Sequence, residues 1–289
     1  MQKRITVSAT IASILIGILF GVAGSQGSVT YDNLPLFAIC ASIGFILHWL
    51  IFIPSFIFQT EHYFDLTGSI SYIAAVCLGI FLNSSADIRD LIIALLIVIW
   101  AIRLGTFLFS RVKKHGKDGR FTVMKTQFHW YLMTWTIGGL WVFMTMAAGL
   151  AAITSNESHP LGIFTYLGIA LWLLGFSIEV IADNQKTKFN ADPSNKGRFI
   201  TNGLWAWSRH PNYFGEITLW LGITIIALPV LSSWQFMMLL SPVFVFILLT
   251  KISGIPLLEG RGEKKWGSDP DYQDYLQRTP RLMLKRPKL

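Results

Sequence analysis

The chain has 289 residues, of which 53% are hydrophobic and 14% charged, and its mean hydropathy is +0.51. This composition excludes a soluble globular domain of this length and indicates an all-α polytopic membrane protein, because helices satisfy their backbone groups within lipid. The formal net charge of +8 is accounted for by basic loops on one membrane face, so nucleic acid is not expected as a partner.

Eight apolar stretches are long enough to cross a membrane as helices. They cover residues 5–24, 34–56, 69–83, 88–110, 129–153, 161–183, 213–231 and 233–252. The first could be a signal peptide with a processing site at Ala23-Gly24-Ser25, but we expect a retained helix. We predict one membrane domain over 1–289, with an additional N-terminal helix in 1–30 and a polar tail over 253–289.

Lysine and arginine residues are concentrated in alternate loops. They lie at the N-terminus, in 111–125, in 186–209 and from 251 to the end, whereas the loops near 31–32, 83–89, 154–160 and 229–233 carry few. Eight spans place every basic segment on one face, as the positive-inside rule requires. We therefore predict an integral protein of the inner (cytoplasmic) membrane with both termini in the cytoplasm. Cys40 and Cys77 fall inside spans, and without a CxxC or HExxH pattern no metal site is expected.

A polar run stands directly before the seventh span. It reads Ser208-Arg209-His210-Pro211-Asn212-Tyr213-Phe214-Gly215-Glu216. Pro211 fits the first turn of a helix, and on that helix Asn212, Tyr213 and Glu216 share one face. The helix N-terminus and Arg209 favour phosphate. Glu216, roughly 7 Å further along the helix, suits an amide or a hydroxyl. The run predicts a nucleotide site with phosphates at its outer end.

A second polar cluster lies between the second and third predicted spans. Its hydrogen-bonding residues are Gln59, Thr60, Glu61, His62, Tyr63 and Asp65. One interpretation is an anchor at the membrane edge. In the other, burial keeps Glu61 protonated near neutral pH, so that it donates a hydrogen bond to a substrate carbonyl.

A third cluster lies at the cytoplasmic end of the sixth span. Glu179 and Asp183 are one helical turn apart and need an offsetting charge. Either Lys186 and Lys188 pair with them, or Asp183 binds ribose or adenine hydroxyls while Lys188 and Arg198 meet phosphate.

Three isolated positions and one charged stretch complete the candidates. Arg103, inside the fourth span, faces either a carboxylate or a ligand, and His48 is expected to be a core histidine. Glu259, soon after Pro256, is a candidate to close a cofactor site. The charged residues Glu263 to Lys265 are expected to form a solvated helix face.

Taken together, the run from Arg209 to Glu216, with Asp183 and Arg198 before it and Glu259 after the last span, resembles the steroid 5-alpha-reductase family. That family belongs to a superfamily with C14 sterol reductases and isoprenylcysteine carboxyl methyltransferases, and the chain resembles its bacterial branch of unknown function. The resemblance covers residues 35–285 approximately, so the first helix is additional.

The resemblance implies NADPH as the cofactor in a cytoplasmic-side pocket, with Asn212, Tyr213 and Glu216 at its nicotinamide end. The cofactor-binding residues it suggests are Glu179, Asp183, Lys188, Arg198, Arg209, His210, Asn212, Tyr213, Glu216 and Glu259. Gln59 and Glu61 resemble the paired residues that hold a substrate carbonyl in the reductases.

The family's catalytic tyrosine is replaced here by Trp100, so Tyr63 or Glu61 would supply the proton. The implied activity is that of an NADPH-dependent oxidoreductase acting on CH–CH groups, similar to 3-oxo-5-alpha-steroid 4-dehydrogenases. Its substrate would be a sterol-like or isoprenoid-like enone drawn from membrane lipid.

Two other functions stay open. The same helix start would serve a membrane methyltransferase that uses S-adenosylmethionine, or a lipid-binding or scaffold protein that has kept the fold. The basic residues Lys186, Lys188, Arg198 and Arg209 favour NADPH, because NADPH carries a pyrophosphate and a 2′-phosphate whereas S-adenosylmethionine carries a sulfonium.

Overall fold

A computed structural model describes residues 2–115 and 121–286. Its α-helices are α1 (Gln2–Gly24), α2 (Leu36–Ile57), α3 (Phe64–Leu82), α4 (Ile88–His115), α5 (Phe128–Ile153), α6 (Ile163–Ala191), α7 (Pro211–Ala227), α8 (Ser241–Ile247), α9 (Gly254–Trp266) and α10 (Pro270–Arg278). Two short antiparallel strands, β1 (Thr30–Tyr31) and β2 (Leu34–Pro35), pair Thr30 with Pro35 and Tyr31 with Leu34. Asp32 and Asn33 turn the chain between them with positive φ angles of 49° and 64°, as a tight hairpin requires.

Within the described residues, eight helical segments are long and apolar enough to cross a membrane. They are Lys3–Gly24, Leu36–Ile57, Phe64–Leu82, Ile88–Arg111, Phe128–Ile153, Ile163–Ala191, Pro211–Val230 and Ser233–Trp266. The predicted all-α polytopic fold class is therefore confirmed.

The third span begins at Phe64, whereas the sequence pattern predicts its start at residue 69. The polar residues at its start form helix because their hydroxyls bond to carbonyls one turn back. Thr67 Oγ1 donates to Tyr63 O at 2.7 Å, and Ser71 Oγ donates to Thr67 O at 2.7 Å. Such intrahelical bonds satisfy polar side chains that would otherwise be costly to bury.

The last span is longer than predicted and changes helix type along its length. A 3₁₀ stretch, Ser233–Leu240, leads into α8, and a π-helical turn, Leu248–Ile252, connects α8 to α9. The 3₁₀ stretch begins with a capping box between Ser232 and Gln235. A π turn adds a residue to the helix, so the side chains beyond it face a different direction.

The chain divides into two compact units. The first contains the residues up to Thr165 together with Thr224–Ser241, and the second contains Tyr166–Ile223 and the residues from Pro242 onward. In the first unit α5 packs against α1, α2, α3 and α4, and most of it is buried.

Helices α2 and α5 approach closely because glycines face each other. A Cβ on Gly139 would lie 2.9 Å from Phe45 Cα and 3.1 Å from Gly44 O. Beside this crossing His48 is 1% exposed, and its Nδ1–H donates to Gly44 O at 2.6 Å. The prediction of a core histidine is confirmed.

In the second unit α6 and α7 cross at two glycine pairs. A Cβ on Gly215 would lie 2.5 Å from Gly175 O, and one on Gly222 would lie 2.6 Å from Gly168 O. Small residues let membrane helices bring their backbones together. This crossing places the first turns of α7 against the last turns of α6, where the polar candidates lie.

Candidate functional site

The polar run before the seventh span is held in place by a buried serine. Helix α7 begins at Pro211, as the sequence predicts. Ser208 Oγ accepts a hydrogen bond from His210 N at 3.1 Å and donates one to Leu282 O at 2.8 Å. Ser208 is fully buried. It therefore joins the start of α7 to the C-terminal segment, a connection that local spacing does not reveal.

Three buried carboxylates lie on α6 and α7. Glu179, Asp183 and Glu216 are 2%, 7% and 8% exposed, respectively. Asn212 Nδ2 donates to Asp183 Oδ1 at 3.2 Å, so two predicted cofactor residues are in direct contact. Carboxylates in such a position favour ligand groups that donate hydrogen bonds, such as hydroxyls and amides.

The lysines near these carboxylates have different surroundings. Lys186 Nζ lies 4.4 Å from the centroid of the Trp205 ring. Lys188, near the end of α6, and Arg198, in the following loop, are exposed. Trp266 Nε1 donates to Gly197 O, which fixes the loop of Arg198 beside α9.

Glu259 on α9 gathers three nitrogen-bearing side chains. Its Oε1 lies 3.0 Å from Arg209 Nη1 and 3.4 Å from His210 Nε2, and its Oε2 lies 2.8 Å from Arg281 Nη2. We call these four residues the Glu259 cluster. Arg281 was not predicted from the sequence, because no motif marks it and it lies far along the chain from its partner.

His210 is almost completely enclosed within the cluster. Burial lowers the pKa of His210 below its ordinary value of 6.5, reinforced by the charges of Lys186 and Arg209 and opposed by the Glu259 carboxylate. Its ring stacks on Tyr213, with centroids 5.7 Å apart and planes at 11°. The neutral form, with Nε2–H directed at Glu259, is therefore favoured at neutral pH.

We expect the protein to lose stability as the pH falls below about 6.5. In that range His210 becomes protonated in the unfolded chain, whereas burial opposes its protonation in the folded chain. The unfolded state therefore binds more protons, and the free energy of unfolding decreases as the pH decreases. Thermal unfolding in detergent from about pH 8 down to about pH 5 measures this effect. His210→Gln should show a flatter profile, and profiles that run parallel would contradict the assignment.

The cluster retains polar atoms for which the described chain offers no partner. His210 Nδ1 and Arg209 Nε are both buried and form no hydrogen bond with described residues. The His210 side chain is 7% exposed and the Arg209 side chain 18%. Buried polar atoms normally have partners. The Arg209 Nε–H and the helix N-terminus beside it suit an anionic ligand, whereas Nδ1 of the neutral His210 is a hydrogen-bond acceptor.

The C-terminal segment is part of this region. Arg209 N donates to Pro280 O at 2.9 Å, and Lys285 N donates to Trp207 O at 3.0 Å. Tyr275 on α10 is buried, which raises the pKa of its phenol, and its hydroxyl donates to Trp205 O at 2.8 Å. By contrast, Glu263 to Lys265 are exposed, as predicted.

In the first unit, Glu61 is buried and ion-paired. Its Oε2 lies 2.6 Å from Lys125 Nζ, and the Glu61 side chain is 2% exposed. Tyr131 Oη donates to Thr60 O at 2.6 Å. An ammonium group at this distance favours the carboxylate, so the interpretation in which Glu61 stays protonated is wrong. Lys125 lies 64 residues away in sequence.

Gln59 and Tyr63 lie on either side of Glu61 and are exposed. Gln59 has a φ of 52°, and its amide donates to Phe56 O at 2.6 Å. Tyr63 is 51% exposed. The turn therefore directs Glu61 inward and leaves the Tyr63 phenol accessible.

A cavity of about 460 Å³ lies between α2 and α3. Its apolar lining includes Leu47, Ile51, Pro54, Phe58, Leu66 and Ile70. Thr60 and Tyr63 also line it. Its volume falls in the range of small-molecule sites, and a lipophilic ligand with one hydrogen-bond acceptor suits this lining.

Trp100, at the position where the resemblance implies a catalytic tyrosine, is 1% exposed. The ring of Tyr72 on α3 meets it edge-on, with centroids 5.2 Å apart. Arg103, one turn further along α4, has its guanidinium 5.2 Å from the Phe107 ring centroid.

Comparison with known proteins identifies the family to which the chain belongs. A family model described as "Protein of unknown function (DUF1295)" matches residues 51–279. An uncharacterised protein of the fission yeast Schizosaccharomyces pombe is 25% identical over 194 residues, with 56% of each chain covered. The chain thus spans little more than half the length of this relative. No solved structure matches the chain.

Proposed function

The chain belongs to the DUF1295 family of proteins of unknown function, and we propose that it is an NADPH-dependent reductase of a conjugated C=C bond in a lipophilic, sterol-like or isoprenoid-like substrate. The observation that carries the proposal is the Glu259 cluster at the start of α7, beside the buried Asn212–Asp183 contact. The resemblance to the steroid 5-alpha-reductase family supports the same activity.

The second unit would hold the cofactor through two kinds of group. Arg209, Arg281 and the N-terminus of α7 would bind phosphate, since guanidinium groups and free helix N–H groups both suit phosphate oxygens. Glu216 and Asp183 would accept hydrogen bonds from the nicotinamide amide and from hydroxyls. NADPH, when bound, supplies the hydride.

The first unit would hold the lipophilic substrate in the cavity between α2 and α3. Reduction of an enone places negative charge on its carbonyl oxygen, so a hydrogen-bond donor at that oxygen lowers the barrier. Tyr63 lines the cavity and carries an accessible phenol, so we assign it the donor role. Glu61, as a carboxylate paired with Lys125, would instead position the turn that carries Tyr63.

The setting of this activity is a membrane. The eight potential spans support a multi-pass protein, and we propose the inner membrane, with the basic loops and both termini in the cytoplasm. NADPH would then arrive from the cytoplasm and the substrate from the lipid.

Tritium transfer tests the proposed function. Purified protein is incubated with a membrane lipid extract and NADPH labelled with tritium at the transferred hydride. Label appearing in a lipid product supports the reductase. Methyl incorporation from labelled S-adenosylmethionine, without NADPH binding, would instead support the methyltransferase, whose sulfonium cofactor is a poorer match for two arginines. If neither tritium nor a methyl group is transferred, a lipid-binding role is favoured.

We expect Glu216→Gln to weaken NADPH binding about tenfold without unfolding the protein. An amide keeps the size of the side chain but loses the charge-assisted hydrogen bond to the nicotinamide, which is worth about 1.5–3 kcal/mol. Fluorescence titration with NADPH measures the loss, and thermal unfolding checks the fold. Glu263→Gln, the same change at an exposed position on α9, serves as the control. Unchanged affinity and turnover in Glu216→Gln would remove Glu216 from the nicotinamide site.

A further inference from the structure

The Glu259 carboxylate lies where an anionic ligand would be expected. Arg209 and Arg281 contact different oxygens of this group, at 3.0 and 2.8 Å, and His210 Nε2 lies 3.4 Å from the oxygen shared with Arg209. Two guanidinium groups that converge on an oxyanion from separate segments resemble the geometry of a phosphate site. In this structure the oxyanion belongs to the protein itself.

The Glu259 carboxylate neither neutralises the positive charge around it nor pairs with every hydrogen-bond donor of the cluster. Two guanidinium cations face a single carboxylate, so the cluster keeps a net positive charge when His210 is neutral. The Arg209 Nε–H is also buried without a hydrogen-bond partner in the described chain. The pyrophosphate of a dinucleotide carries two negative charges spread over four non-bridging oxygens, whereas a carboxylate carries one charge on two oxygens. The cluster is therefore better matched to phosphate than to the side chain that it holds.

The carboxylate is also partly open to solvent. Glu259 is on α9, which follows the π-helical turn Leu248–Ile252 and Ser253. Its side chain is 25% exposed, so it has space toward solvent. The C-terminal segment keeps its own backbone bonds to the residues before α7, through Pro280 and Lys285. Loss of the Glu259 contacts would therefore leave Arg281 beside Arg209.

We propose that Glu259 is an internal competitor for the phosphate site: its carboxylate holds Arg209 and Arg281 in the ligand-free protein, and an incoming phosphate displaces it. The inference rests on the proposed function, which takes the phosphate to be that of a dinucleotide. Glu259 then keeps the two arginines preorganised and lowers the affinity of the site for other anions. A ligand must therefore bind strongly enough to displace the carboxylate. A dinucleotide would do so through its further contacts to Asp183 and Glu216.

Binding of inorganic pyrophosphate tests this inference, because pyrophosphate lacks the nucleoside contacts. In Glu259→Gln the competing charge is gone while the side chain keeps its size, so we expect pyrophosphate to bind about five- to tenfold more tightly than to the wild type. Isothermal titration in detergent at constant ionic strength measures the constants, because salt screens such interactions. Glu263→Gln, which removes a carboxylate from an exposed position on the same helix, should match the wild type.

A Glu259 that serves as a ligand group or as a purely structural ion pair predicts the opposite result. Unchanged or weaker pyrophosphate binding in Glu259→Gln would overturn the inference, as would equal gains in Glu259→Gln and Glu263→Gln. If Glu259→Gln does not fold, Glu259→Asp provides the test. Its shorter carboxylate cannot reach both arginines equally well, so a smaller gain is expected, and no gain would again overturn the inference.

The outcome separates this inference from the proposed function. Tighter pyrophosphate binding in Glu259→Gln, with no NADPH binding in any variant, would support the competitor and remove the reductase. If NADPH binds but Glu259→Gln does not bind pyrophosphate more tightly than the wild type, the competitor role is overturned and the reductase proposal stands.

Discussion

Replacing Gly215 with alanine is expected to destabilise the protein by about 3 kcal/mol, the upper end of the usual cost of overpacking. The added Cβ would lie 2.5 Å from Gly175 O and 2.7 Å from Glu179 N. Both are backbone atoms of α6, which cannot rotate away as a side chain could. The two helices must separate, and the Asn212–Asp183 hydrogen bond one turn away would lengthen or break. Thermal or denaturant unfolding in detergent measures the loss.

A matched control lies in the same unit. Gly260 on α9 has nothing within 4 Å of the position where a Cβ would be added. Gly260→Ala should therefore be neutral, or stabilise the helix by up to about 1 kcal/mol through its higher helix propensity. Equal effects of the two substitutions would show that α6 and α7 are not in backbone contact at Gly215.

The membrane helices were predictable because lipid imposes a simple rule on them. A span must be apolar over enough residues to cross the hydrocarbon, and it must satisfy its backbone internally. Stretches that meet this requirement can be recognised directly in the sequence. The rule failed at the start of α3, where Thr67 looks unsuited to a span but its hydroxyl donates to the carbonyl four residues back.

The start of α7 was predictable for a similar local reason. Pro211 fits the first turn of a helix, and positions 212 and 216 are one turn apart. The glycine crossing left a local signal as well, since Gly168 and Gly175 on α6, and Gly215 and Gly222 on α7, have the same spacing. Two equal spacings of glycine in neighbouring spans are typical of close helix contact.

The charged contacts could not be predicted in this way. Lys125 reaches Glu61 across 64 residues, and His210 reaches Glu259 across 49. Neither distance corresponds to a helical period, so only the fold brings these pairs together. The error over the protonation of Glu61 has this cause, because the turn itself contains no cation.

Arg209→Gln is expected to lower NADPH affinity about 30- to 100-fold. The substitution removes a guanidinium from the start of α7, and charge-assisted hydrogen bonds of this kind are worth about 1.5–3 kcal/mol each, with 1.4 kcal/mol corresponding to a tenfold change in affinity. Arg209→Lys keeps the charge but loses the planar fork that holds two oxygens at once. Its affinity should fall between those of the wild type and Arg209→Gln, by titration at constant ionic strength.

The control for Arg209 is a cation of the same unit that lies outside the Glu259 cluster. Lys196 is exposed in the loop after α6, so Lys196→Gln removes one positive charge without removing a phosphate contact. We expect a loss of less than about threefold, which shrinks further as salt is raised because exposed charges are screened. The loss in Arg209→Gln should persist at high salt, since its side chain is only 18% exposed. Similar losses in both variants, with the same salt dependence, would mean that the basic surface attracts NADPH only through its overall charge and that Arg209 does not contact phosphate.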